Sequence, residues 1–245
     1  MNGPVPHCAM VLAAGLGLRM RPITETRPKP LVSVAGRTIL DRALDALGGV
    51  GVTDAVVNLH YLAHMIEDHL ADRPAPRITF SDERDVLLET GGGVTKSLPM
   101  LGDAPFYVVN ADITWRDGRV PALRRLAEAW DDAAMDALLL VHPVEDATGY
   151  DGIGDYFPES TGESAGRLRR RRDEPTAPYV FTGIQILHKR LFADAPAGPF
   201  SLTRLYDQAE AAGRLFGLIH NGDWHHIGTP AGLATAEARL KMSEG

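Results

Sequence analysis

The sequence predicts a three-layer, Rossmann-like α/β fold on a mixed, mainly parallel sheet. Three observations predict it. A continuous apolar run at residues 8–14 ends on Gly15 and Gly17, strand-like and helix-like periodicities then alternate, and after Pro143 glycine and charge interrupt the pattern. With roughly 100–200 residues per domain as the norm, residues 1–245 are expected to form one unit. Its halves are about 1–143 and about 144–245, with no linker or repeat between them.

Residues 8–14 (CAMVLAA) suit a strand buried on both faces, with Cys8 in its core. Residues 15–37 hold Gly15, Gly17, Pro22, Pro28, Pro30 and Gly36, too many breakers for a helix, so a long loop is expected. Loops beyond about 12–15 residues in a compact domain are usually functional or disordered. Ile39, Ala43, Ala46, Leu47 and Val50 then recur at helical spacing, residues 54–59 read as a strand, and Leu62, Met65, Ile66 and Leu70 mark a second helix. Residues 78–81 form a strand, 91–98 a helix after a glycine-rich entry, 105–109 a strand ending in Asn110-Ala111-Asp112, 121–130 a helix and 136–141 a strand. From Gly149 to Gly166 periodicity is weak, and four arginines follow, Arg169 to Arg172. Strands at 180–187, 215–219 and 223–227, a helix at 202–212 and a last helix at 230–242 complete the chain. Thr229 and Pro230 supply that helix with an N-cap and a first-turn proline.

Hydrophobic residues at 44% and charged residues at 23% are ordinary globular usage and exclude disordered, collagen-like and coiled-coil classes. A net charge of −7 argues against nucleic acid or an anionic membrane as partner. One cysteine excludes an intramolecular disulfide, and the short apolar run without a basic leader is no signal peptide or membrane span. The expected compartment is the cytoplasm. The acidity is uneven: Arg19, Arg21, Arg27, Lys29 and Arg37 face only Glu25 within residues 15–37, a local +4.

That basic stretch opens with Leu12-Ala13-Ala14-Gly15-Leu16-Gly17-Leu18-Arg19-Met20-Arg21-Pro22 and continues to Pro28-Lys29-Pro30-Leu31. Small residues directly after a buried strand let backbone N–H groups approach a phosphate, and two prolines restrain the backbone around Lys29. A surface turn with scattered cations is the competing reading. The dinucleotide fingerprint fails, because its third glycine falls on Met20 and Pro22 blocks the helix it requires. The Walker A ending is absent as well. Asp112 follows an apolar strand at the expected carboxyl edge of the sheet, where open α/β sheets bind ligands. There it suits Mg²⁺ shared with substrate phosphates, or serves as a turn or N-cap residue.

The stretch 12–31 resembles the signature of the sugar-1-phosphate nucleotidyltransferases, L-A-A-G-x-G-x-R-M followed after a spacer by P-K-P-L. Glu89-Thr90-Gly91-Gly92-Gly93, Asn110-Ala111-Asp112, Thr182-Gly183-Ile184 and Trp224-His225-His226-Ile227-Gly228-Thr229 extend the likeness in the same order. The resemblance implies transfer of a nucleotidyl group to a sugar 1-phosphate with release of pyrophosphate. Mg²⁺ is the implied cofactor, with Mn²⁺ or another divalent metal as the alternative. The backbone of Ala13, Ala14, Gly15 and Gly17 would hold the nucleotide, and Glu83, Glu89 and Gly91 would lie toward the base. Arg19 would bind the leaving pyrophosphate, Lys29 the reacting phosphates and Asp112 the metal. Asn110, Gly154, Asp155, Glu174, Thr182 and Gly183 are the implied sugar-phosphate positions. The short length and the run Leu88 through Gly93 imply UTP and N-acetylmuramic acid 1-phosphate as substrates, in peptidoglycan recycling. Guanylyl, thymidylyl or cytidylyl transfer to mannose 1-phosphate, another hexose 1-phosphate or phosphocholine is a second reading. A non-catalytic sugar-nucleotide sensor is a third, and monomer and homodimer are both open.

The chain departs from the family pattern at two points. His226 stands where the family places a second metal-binding Asp in W-x-D-x-G-T. Strand alternation puts His225 and His226 on opposite faces, with Trp224 beside His226. His226 has three open roles: metal ligand, phosphate ligand, or neither, with Asp112 and substrates holding the metal. Imidazole suits softer ions better than Mg²⁺. Glu174-Pro175 resembles a family E-K-P segment without its Lys, so one of Arg169 to Arg172 is a candidate substitute, unless the run is simply a solvated strand. Glu83 and Asp155 read equally well as solvated loop acids. His60, His64 and His69 lack any accompanying metal motif and are expected not to bind metal.

Overall fold

Residues 5–242 are described by a computed structural model; residues 1–4 and 243–245, the ends of the expected unit 1–245, lie outside it. Strand β1 (Cys8–Leu12) sends Ala9 and Val11 into the core on one face of the sheet and Met10 into the core on the other. Cys8, the first residue of the strand, is only half-buried and packs against the margin of the core on the Met10 face.

The loop after β1 is folded tightly. It makes three short 3₁₀ turns, at Leu18–Met20, Ile23–Glu25 and Lys29–Leu31, and then pairs β2 (Ser33–Val34) with β3 (Arg37–Thr38). Thr38 caps α1 (Ile39–Gly49), its hydroxyl accepting the Asp41 N–H at 3.0 Å. There follow β4 (Asp54–Leu59), α2 (Ala63–Leu70), β5 (Arg77–Asp82), α3 (Glu89–Leu101), β6 (Phe106–Asn110), β7 (Ile113–Arg116), α4 (Ala122–Ala129) and β8 (Ala137–Pro143). Beyond these lie β9 (Tyr156–Pro158), β10 (Gly166–Arg170), β11 (Tyr179–Leu187), α5 (Thr203–Ala211), β12 (Leu215–Ile219), β13 (Asp223–His226) and α6 (Pro230–Met242). Thr229 accepts the Gly232 N–H at 3.1 Å, as the N-cap reading expects. Two strands, β9 and β10, lie in the stretch of weak periodicity. They are short, and each buries a single residue, Tyr156 in β9 and Leu168 in β10, so no alternation announces them.

The main sheet runs β5-β4-β1-β6-β11-β8-β12-β10-β9. The first four strands are parallel, as helical crossovers require, β8 and β12 are also parallel, and the remaining pairings are antiparallel. One helical layer, α1, α2 and α4, packs its Leu40, Leu44, Ile66 and Leu126 on one face, and α3 and α5 pack Val94, Leu101 and Leu205 on the other. This is the three-layer arrangement. A third apolar cluster joins Met20, Val32, Val34 and Ile39 to Ile227 and to Leu240 of α6, and so fastens the long loop down.

Candidate active site

Because β1, β4 and β6 are parallel, their carboxyl ends share one edge, and there a cavity of about 470 Å³ opens. Ala14, Gly15, Gly17, Arg19, Lys29, Asn58, Glu89, Thr90, Asn110 and Asp112 are among its lining residues. Gly17 takes φ +63°, and a Cβ there would come within 3.0 Å of Thr24, whose hydroxyl donates to the Gly17 carbonyl at 2.7 Å. The glycine thus permits both the left-handed turn and the close return of the loop.

A buried chain of hydrogen bonds sets the start of this loop. The Ala13 N–H donates to Asn58 Oδ1 at 2.6 Å, Asn58 Nδ2 donates to Glu83 Oε1 at 2.8 Å, and Glu83 Oε2 accepts the Leu88 N–H at 3.0 Å. Glu83 and Asn58 are each 2% exposed. Glu83 is therefore neither a solvated acid nor a lining residue of the cavity. It stands behind Asn58 and ties the loop to the entry of α3. Gly91 is also turned from the cavity: its N–H donates to the Phe200 carbonyl at 2.8 Å, and a Cβ would meet the Phe200 ring at 2.3 Å. Glu89 does line the cavity, with φ +58° at the first residue of α3.

On the cavity floor Lys29 Nζ lies 3.1 Å from Asp112 Oδ2, and the two side chains are 11% and 36% exposed. Asp112 starts the turn into β7, which pairs with β13 so that His226 falls opposite Ile113, and His226 Nε2 comes to 4.0 Å from the same Asp112 oxygen. Trp224 stacks flat on His226 with centroids 6.1 Å apart, and a Cβ on Gly228 would meet the imidazole at 2.5 Å, so the glycine makes room for the ring. Burial pushes the Asp112 carboxyl up, but Lys29 and His226 outweigh it and hold it below the ordinary value. Burial lowers the His226 pKa; Asp112 opposes this and Lys29 reinforces it, leaving the imidazole neutral at pH 7. A carboxylate open to the cavity and already facing a cation is a donor that Mg²⁺ bound largely through phosphates can use, and the neutral imidazole is a softer second donor. No group of three or more His, Cys, Asp or Glu side chains with metal-binding geometry exists among the described residues.

The positions implied for the sugar phosphate separate into two groups. Gly183, with φ +84°, sits at the bulge in β11 where a Cβ would be 3.0 Å from Asn110, and Asn110 lines the cavity. Thr182 is fully buried, its hydroxyl donating to the Leu140 carbonyl at 2.8 Å and its carbonyl accepting Trp224 Nε1 at 2.9 Å, so it shapes the bulge. Gly154, Asp155 and Glu174 stand further along the edge. A Cβ at Gly154 would strike the Ala177 carbonyl at 1.9 Å, and Asp155 Oδ2 accepts the Phe181 N–H at 2.9 Å. Asp155 is half-buried rather than solvated, and burial raises its pKa. Glu174 pairs with Arg169 on the surface.

His60 Nδ1 is 2.7 Å from the Glu83 carbonyl, His69 pairs with Asp41 at 2.9 Å, and His64 is exposed. Asn58 lines the cavity without having been singled out by the sequence, and Thr90, quoted only as part of the motif from Glu89 to Gly93, lines it too. The available signal for Asn58 was one amide at the end of an apolar strand, AVVNL, at a carboxyl edge.

Residues 8–242 match the family described as Nucleotidyl transferase. The N-acetylmuramate alpha-1-phosphate uridylyltransferase of Caulobacter vibrioides is 44% identical over 96% of this chain and 97% of its own, and that of Neisseria meningitidis is 33% identical over 94% and 96%. The mannose-1-phosphate guanyltransferase beta-B of Xenopus laevis is 27% identical over 93% of this chain and 62% of its own. Among solved structures, a UDP-glucose pyrophosphorylase complexed with UDP-glucose superposes with a TM-score of 0.80 at 16% identity, covering 96% of this chain and 98% of the other. At that identity the likeness is one of fold.

Proposed function

Because the chain belongs to the nucleotidyl transferase family, we propose that it joins UTP to N-acetylmuramic acid 1-phosphate, giving the UDP-sugar and pyrophosphate in peptidoglycan recycling. The two uridylyltransferase relatives, matched over nearly their full lengths, support the substrates. The observation that carries the chemistry is the Lys29–Asp112 pair on the floor of a glycine-lined cavity at the carboxyl edge of a parallel sheet. A sugar-phosphate oxygen attacks the α-phosphorus in line with departing pyrophosphate. That oxygen is already ionised at pH 7, so the reaction needs no general base.

The work of the protein is then positioning and charge neutralisation. The backbone of Ala13, Ala14, Gly15 and Gly17 cradles the triphosphate, with Glu89 at the mouth. Lys29, restrained between two prolines, meets the α-phosphate and the incoming phosphate, and Arg19 meets the leaving pyrophosphate. Asn110 and the Gly183 bulge border the acceptor's phosphate, while Asp155 takes a sugar hydroxyl. Asp112, with His226 beside it, would hold Mg²⁺ or another divalent cation. When bound, the cation neutralises triphosphate charge. In this reading 1–245 is one unit, residues 1–143 serving the nucleotide and 144–245 the sugar. No helix among the described residues is long and apolar enough to cross a membrane, and a cytoplasmic location accords with the soluble substrates.

The test is pyrophosphate release across UTP, GTP, CTP and dTTP, each with N-acetylmuramic acid, N-acetylglucosamine, glucose and mannose 1-phosphates, in Mg²⁺ and then Mn²⁺. Preference for UTP with N-acetylmuramic acid 1-phosphate is expected. A preferred pair of other substrates would overturn the assignment within the family, and no release from any pair would favour a non-catalytic sensor.

A further inference from the structure

We propose that Arg171 selects the acceptor by pairing with an acidic substituent of the sugar, remote from its reacting phosphate. The inference rests on the acceptor assignment above. A second cavity, of about 310 Å³, opens between the ends of β9 and β10 and helix α5, and its wall includes Asp155, Tyr156, Arg171, Phe181, Thr203 and Tyr206. The two cavities share no lining residue, but short stretches of chain link their walls. Thr90 of the first accepts the N–H of Leu202, next to Thr203 of the second, at 3.0 Å, and Asn110 of the first abuts Gly183, two residues beyond Phe181. The acceptor's phosphate belongs with Lys29, so the part of the sugar reaching the second cavity is far from the bond being made.

Partners distinguish the four successive arginines. Arg169 pairs with Glu174, Arg170 with Asp207, and Arg172 with Asp207 at 3.7 Å and Glu210 at 3.0 Å. Arg171 differs: among the described residues no carboxylate lies within 4.0 Å of it. Its Nε donates to the Gly154 carbonyl at 2.9 Å and its Nη1 to the Glu174 carbonyl at 2.7 Å, while its backbone N–H donates to the Asp155 carbonyl at 2.8 Å. Two carbonyls thus fix the guanidinium plane, the main-chain bond to Asp155 fixes the backbone behind it, and Nη2 is left without a protein acceptor among the described residues. A held guanidinium with no carboxylate in direct contact, and only the half-buried Asp155 near enough to feel its charge, is suited to a carboxylate. Asp155, whose Oδ2 is occupied by the Phe181 N–H, has its other oxygen for a hydroxyl. Arg170 and Arg172 also line this cavity but are paired with acids of α5, so one guanidinium without a carboxylate partner and one hydroxyl acceptor share the wall, which fits a hydroxylated acid. N-acetylmuramic acid has a lactyl carboxylate that N-acetylglucosamine lacks.

The test compares kcat/KM for the 1-phosphates of N-acetylmuramic acid and N-acetylglucosamine, with UTP, in the wild-type enzyme, R171Q and R171K, alongside melting temperatures. R171Q is expected to lower the acid-to-neutral ratio about 10–100-fold, as loss of a charge-assisted hydrogen bond does, and to do so through KM for the acid. R171K keeps charge without the held fork and is expected to fall between. If R171Q fails to fold, R171K carries the test, and an unchanged ratio in it overturns the inference. A wild-type enzyme that prefers the acid while folded R171Q keeps that preference refutes the role of Arg171 alone. A wild-type enzyme that does not prefer the acid refutes the acceptor assignment and the inference with it.

Discussion

Replacing Glu83 with Gln tests whether the triphosphate loop is set from behind. Both carboxylate oxygens accept, one from Asn58 Nδ2 and one from the Leu88 N–H, and Asn58 passes the pattern on by accepting from Ala13. Glutamine supplies one acceptor and one donor. If its oxygen faces Asn58, its amide nitrogen opposes the Leu88 N–H. If its oxygen faces Leu88, its nitrogen opposes Asn58, and flipping Asn58 only moves the donor–donor conflict to Ala13. Either way one donor pair is left unsatisfied, at the half-buried Leu88 in the first orientation and among Asn58 and Ala13, each 2% exposed, in the second. An unsatisfied buried polar group costs about 1–3 kcal/mol; at about 2 kcal/mol, a chain of this size loses roughly 4–8 °C in melting temperature. Thermal denaturation gives the stability, and pyrophosphate release at varied UTP gives KM, expected to rise because the Ala13 N–H borders the triphosphate loop. A folded variant with wild-type melting temperature and wild-type KM for UTP would refute the relay.

Lys29→Ala should lower kcat by at least ~10²-fold, by analogy with loss of a preorganised donor to developing charge, and near-normal turnover in single-turnover assays would remove Lys29 from the chemistry. Gly91→Ala places a Cβ 2.3 Å from the Phe200 ring and 2.8 Å from its carbonyl, so overpacking of about 1–3 kcal/mol is expected; an unaltered urea midpoint would contradict the close packing of Phe200 on α3. Acid stability follows from the histidines buried beside β8, β12 and β13: burial pushes His220 down to about 4 and lowers His142 and His225 as well. The unfolded chain, with imidazoles near 6.5, takes up these protons first. Stability is therefore intact above pH 6.5 and is lost as pH falls toward 4, by on the order of 3 kcal/mol from His220. Asp155, whose carboxyl burial raises, opposes this as a single group, while His188 and His226, also lowered by burial, add to it. A denaturation midpoint that does not fall between pH 7.5 and 5 would contradict the reading.

The parallel half of the fold and the chemistry of its edge were legible in the chain because their signals are local. Apolar runs of strand and helix period recur from β1 to β8, breakers crowd the loop after β1, and Lys29 and Asp112 sit at punctuated ends of elements. Strands β9 and β10 were not legible, because short strands with one buried residue each carry no period to read. The same holds for direction and partnership. Glu83 and Asp155 are polar residues next to strand ends and Thr182 lies at the bulge inside β11, and whether each faces solvent, substrate or another backbone depends on segments far away in sequence: β4, β11 and β8 respectively. Arg171 has the same side chain as its three neighbours. What separates it from them is that α5 brings Asp207 and Glu210 to Arg170 and Arg172, while Arg171 meets only carbonyls, and a pattern of residues along one chain cannot encode which distant segment arrives opposite which side chain.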